Sequence, residues 1–158
     1  MKTAIFLAMA AAVGLAACAQ PGERAEITSG DEPIPIPATD LQWVDLDPEG
    51  APGVQTATLW GDLSSGPFGA FFRLPAGFAA PFHTHTHAMK VVIVSGTYIQ
   101  EPAGESEFHL GPGSFLMQPG GDYRHITRCS ADADCVFFVE GNGAFDLFVA
   151  DAPSGATQ

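Results

Sequence analysis

The sequence predicts an all-β sandwich or barrel in a single domain, and three observations carry that prediction. From residue 41 onward, short β-rich runs are punctuated by Gly and Pro every eight to twelve residues. No segment of that stretch repeats its apolar residues at helical period. Val91, Val92, Ile93 and Val94 form a continuous β-branched run, which suits a strand covered on both faces.

In chain order, residues 1–17 come first, with Lys2, an apolar run from Ala4 to Leu15 and small residues ahead of Cys18. That pattern reads as an export signal removed on maturation, and the run is shorter than the roughly 20 residues of a membrane-spanning helix. Leu15, Ala16, Ala17 and Cys18 resemble the lipobox of bacterial lipoproteins. The resemblance implies lipidation of Cys18 and a protein facing the periplasm; Ala19 in place of an aspartate points to the outer membrane. Residues 18–40 include the alternation Pro33, Ile34, Pro35, Ile36, Pro37 and too little apolar surface to offset ordering, so they read as a disordered tether with a stiff portion. Residues 41–150 are long enough for one core, and residues 151–158 read as a flexible tail.

Within the domain the expected strands are 42–46, 56–60, 69–74, 80–85, 90–95, 97–100, 107–110, 114–118, 123–128, 135–140 and 145–149. Gly96 allows a tight turn after the apolar run, and Pro119, Gly120 and Gly121 turn the chain back toward His125. Six basic residues against eighteen acidic ones give a formal net charge of −12. Phosphate binding needs clustered positive charge, so nucleic acid is excluded as a partner class.

His83 and His85 stand two apart in an extended segment, so both imidazoles leave one face and can converge on one ion. These stretches resemble the paired motifs of the cupin superfamily. In the first motif Gly77, His83, His85 and Gly96 fall in register, but Met89 stands where cupins carry a ligating glutamate. In the second, Gly113, Pro119 and Gly121 fit, His125 comes one residue late, and Cys129 occupies the asparagine position. Leu59, Trp60, Gly61 and Asp62, with Leu74 to Phe78, resemble a bacterial subgroup of small cupins of uncharacterised function.

The resemblance implies a cupin-type double-stranded β-helix, a jelly-roll barrel with the two motif strands side by side. It implies His83, His85 and His125 as ligands of a divalent transition metal. All-nitrogen donors suit Fe, Zn, Ni or Cu, and losing the hard oxygen donor makes Mn a poorer match. Around that site Met89 is expected as an inward plug, with Tyr98, Phe115 and Tyr123 lining the pocket; Tyr98, Tyr123 and Glu140 are the titratable groups near the motif strands. His87 is open to three readings: a solvated turn residue, a proton shuttle, or an extra ligand. Cys129 and Cys135 bracket a short loop and can form a disulfide in an oxidising compartment, or Cys129 can offer a thiolate to the metal.

The function expected is that of a metal-binding envelope lipoprotein that oxidises a small molecule with O₂. The alternative is a non-catalytic module that binds a small molecule or a metal. Cupins commonly dimerise through edge strands, so a homodimer is a further expectation.

Overall fold

Alternation of side chains along each strand sets the architecture, because one face of each ribbon must find another to cover it. The structure, a computed structural model, describes residues 32–152; the expected export signal, Cys18, the first part of the expected tether and residues 153–158 lie outside the described residues. A short 3₁₀ turn, Ala38–Asp40, precedes strands β1 (Val44–Asp45), β2 (Gln55–Gly61), β3 (Phe68–Leu74), β4 (His83–Thr84), β5 (Met89–Ser95) and β6 (Tyr98–Pro102). Strands β7 (Phe108–Leu110), β8 (Phe115–Gln118), β9 (His125–Cys129), β10 (Cys135–Gly141) and β11 (Phe148–Val149) complete the fold. One sheet has the order β1-β2-β3-β10-β5-β8 and the other β11-β4-β9-β6-β7, and every pairing is antiparallel. This is the all-β jelly roll the sequence predicts.

The larger sheet gives the core Phe68, Phe72, Val91, Ile93, Phe137 and Val139, and the smaller sheet meets it with Tyr98 and Cys129. Each fully buried side chain of this size contributes about 1.5–3 kcal/mol through area removed from water. Phe72 and Phe137 stack at 5.8 Å across neighbouring strands β3 and β10. Gly96 has φ +75°, and a Cβ there would run into the Asp134 carbonyl, so the turn between β5 and β6 requires glycine.

Two expectations need correction, and a third is decided between its alternatives. The run in β5 is covered on one face only: Val91 and Ile93 are buried, whereas Val92 is 38% and Val94 49% exposed. Its neighbours there, Phe115 and Met117 of edge strand β8, are exposed too, so among the described residues no second layer lies over that face. The ribbon expected at 80–85 is short, because Pro81 has no N–H to give to a ladder; only His83–Thr84 and an isolated bridge from Ala79 to Arg128 pair. Finally, the sulfurs of Cys129 and Cys135 are joined with their Cα atoms 5.7 Å apart. These residues end β9 and begin β10, so the bridge ties one sheet to the other rather than two neighbouring strands. A bonded sulfur leaves Cys129 no thiolate for a metal.

Candidate metal centre

His83 and His125 are direct partners across β4 and β9, and side chains so paired rise from the same face within about 5 Å of each other. Their rings lie 4.2 Å apart between centroids. His85, two residues beyond His83, joins them on the inner face at 4.9 Å from His83 and 5.4 Å from His125. All three are buried, and one nitrogen from each lies within 4.8 Å of the other two. An ion held at about 2.1 Å by each nitrogen needs them roughly 3–4 Å apart, so modest inward rotation of the rings completes the site.

The backs of the rings are held by the backbone. His83 Nδ1 meets the Pro81 carbonyl at 2.8 Å and His85 Nδ1 the Asp146 carbonyl at 2.5 Å. A hydrogen on Nδ1 satisfies both contacts and leaves Nε2 bare for an ion. Asp146 also accepts from the Thr86 N–H at 2.8 Å, which fastens the segment before β11 to the loop after His85.

Burial keeps the rings neutral. It pushes His83 down to about 4, with the Pro81 hydrogen bond opposing and the nearby His85 adding to the fall. His125 drops to about 3, chiefly through burial and then through His83 and His85. His85 is also lowered by burial, partly offset by its bond to Asp146. Neutral imidazole is the form that binds metal, so the donor set fits a divalent transition ion.

The histidines face a cavity of about 100 Å³ whose walls are almost wholly apolar, with Phe72, Phe78, Phe137 and Phe145 among them. Met89 and Tyr98 line it as expected. Tyr98 is fully buried, and burial pushes its hydroxyl up to about 12, so it stays protonated. Phe115 does not line the cavity: strand alternation from the inward Gln118 turns Phe115 to the outer face, where it is 57% exposed. Tyr123 is not a wall residue either; it stacks on the His125 ring at 5.4 Å and accepts from Gln100 Nε2 at 3.3 Å. Glu140 lies on the outer face of β10, paired with Lys90 at 2.6 Å. His87 sits exposed in a bend, its ring against Gly143 and outside the three-nitrogen group, because the chain turns immediately after His85.

Several site residues were not anticipated. Gln118, 2% exposed, faces His125 from β8, and Gln100 links Tyr98 and Tyr123 in a buried polar chain. Phe145 packs on His85 at 5.6 Å and on Phe72 at 5.1 Å. Gln118 and Gln100 carried one available signal, a polar amide at an inward position of a β-rich run; Phe145 was expected inside a strand at 145–149 but precedes β11.

A family model described as a domain of unknown function (DUF4437) matches residues 16–148. No curated protein matches the chain. Among solved structures, the polyketide cyclase RemF of Streptomyces resistomycificus is similar at 18% identity and TM-score 0.61, over 77% of this chain and 90% of that one. A cupin-2 domain protein of Rhodospirillum rubrum is similar at 20% identity and TM-score 0.58, over 76% and 80% of the two chains. The DMSP lyase DddQ of Ruegeria pomeroyi is similar at 24% identity and TM-score 0.54, over 76% and 64%. These likenesses establish the cupin fold.

Proposed function

The chain belongs to the family described as a domain of unknown function, DUF4437, and on that footing we propose that it is a cupin-fold metalloprotein that oxidises a small, largely apolar molecule with O₂. The observation that carries this is the trio His83, His85 and His125, buried, neutral and facing an apolar cavity. Iron, zinc, nickel or copper matches three imidazoles; manganese fits less well without a carboxylate. When bound, such an ion supplies Lewis acidity and, with iron or copper, electron exchange with O₂.

The chain's own residues select and position. A void of about 100 Å³ is smaller than the roughly 150 Å³ cavity that admits benzene, so the ligand has few non-hydrogen atoms unless the wall around Phe145 yields. Phenylalanine walls exclude water and charged groups. Among the described residues no carboxylate lines the cavity, and Tyr98 holds its proton and donates it to Gln100 Oε1. That poverty of acid and base groups supports redox chemistry over proton abstraction. Cyclisation and DMSP cleavage are activities of those two neighbours.

The test is metal content followed by oxygen uptake. Purified without a metal-affinity tag, the native protein is expected to carry close to one transition ion per chain, and His83→Ala and His125→Ala to lose it together with uptake on small phenols, diketones or thiols. A metal-loaded protein that consumes no O₂ with any of them overturns oxidation. The second reading, a non-catalytic binding module, is favoured by Met89, which occupies the place of a carboxylate donor. There a ligand raises the melting temperature and is recovered unchanged. The same proposal places the protein in the bacterial envelope as a periplasm-facing lipoprotein, on the support of residues 1–18 alone.

A further inference from the structure

An imidazole that gives Nε2 to an ion carries its one hydrogen on Nδ1, and that hydrogen needs an acceptor. His83 and His85 have backbone carbonyls at 2.8 Å and 2.5 Å. His125 has no comparably close partner. Its Nδ1 lies 3.3 Å from the Tyr123 carbonyl and 3.3 Å from the carboxamide nitrogen of Gln118. A hydrogen on Nδ1 would then face the hydrogens of that amide nitrogen. Meanwhile Gln118 Oε1 is buried with no hydrogen-bond partner. Turning the carboxamide over answers the first problem, since its nitrogen and oxygen are nearly the same size. The oxygen then accepts from His125 Nδ1–H. The 3.5 Å contact from the amide nitrogen to the Pro119 carbonyl is given up, and the nitrogen moves to the buried spot where Oε1 had no partner.

We propose that Gln118 is a positioning residue: its amide oxygen accepts from His125 Nδ1–H and holds that ring with Nε2 bare and turned to the ion. Gln118 is the register partner of Met89 across β5 and β8. A polar side chain therefore reaches the histidines from the neighbouring strand, although position 89 itself holds a thioether. Its effect on metal affinity rests on the metal-binding reading above, whereas its effect on the His125 tautomer does not.

The full chain is studied in two ways. Competition titration with Zn²⁺ is expected to show Gln118→Leu binding roughly 10-fold or more weaker than native, the range for removing a ligand's outer partner. Gln118→Glu, which keeps the acceptor, is expected to restore native affinity or exceed it. Nitrogen-detected NMR of the metal-free native protein is expected to place the His125 hydrogen on Nδ1, and Gln118→Leu to mix the tautomers. Equal Zn²⁺ affinity in native and Gln118→Leu overturns the proposal, as does a native His125 protonated on Nε2. Should the native chain bind no Zn²⁺ yet keep the Nδ1 hydrogen only when residue 118 is an acceptor, the metal reading falls and the role of Gln118 stands.

Discussion

At the level of single residues, the burial that readies the histidines for a metal makes the metal-free protein sensitive to acid. His83 and His125 sit near 4 and 3 in the folded chain, below the ordinary value of 6.5 that they regain on unfolding. The unfolded state therefore binds more protons between those values, and stability falls as pH drops. The metal-free protein is expected to hold a constant melting temperature above about pH 7 and to lose stability steadily from about 6.5 toward 3. Replacing both His83 and His125 by Gln, which does not titrate, is expected to flatten that slope. Thermal melts across pH in the presence of a chelator measure it, and an unchanged slope in the double variant would count against the burial argument. Single residues also show what strand parity decides: Phe115 and Gln118 lie three apart on one short strand, so only one of them can face the histidines.

Among the elements, β4 and β9 matter most to the centre, because their one register pair is His83 with His125. Few ladder bonds hold β4, so neighbouring segments keep it in place. The carbonyl of Asp146 fixes His85, and β11 pairs with β4 on its other side. The disulfide acts on different elements, linking the end of β9 to the start of β10. Its short loop removes little entropy from the unfolded chain, so replacing Cys129 and Cys135 together by Ala is expected to cost about 2 kcal/mol. Urea unfolding under oxidising conditions measures that cost. Metal content is expected to stay the same, since neither cysteine belongs to the three-nitrogen group.

For the whole molecule, two sheets face each other across the phenylalanine core, and the histidines lie on the inner face of the smaller one. The cavity is the part of that interior left unfilled, which is why it is small and apolar. The net charge of −12 disfavours polyanions at the surface, in keeping with the small molecule proposed as the ligand. Anchoring belongs to this scale as well. If Cys18 is acylated, the full-length protein made in a bacterium is expected to enter the detergent phase on Triton X-114 separation, and Cys18→Ser to stay in the aqueous phase. Native protein in the aqueous phase would remove the lipoprotein proposal.

The sequence alone determined the all-β class, the position of nearly every strand and the identity of the three histidines. The first two follow from local signals, turn residues at regular spacing and the two-residue repeat of a strand; the histidines follow from the His83-Thr84-His85 triplet and, for His125, from the resemblance to the second cupin motif. It did not determine which side of β5 and β8 meets the core, since Val92, Val94 and Phe115 are apolar yet exposed. Nor did it disclose Gln118 behind His125, Asp146 behind His85, or a disulfide running between sheets. Those facts depend on which strands become neighbours, and pairing over dozens of residues leaves no mark in the spacing of any one segment. Only the tertiary structure, by stacking one sheet on the other, decided what each inward side chain touches.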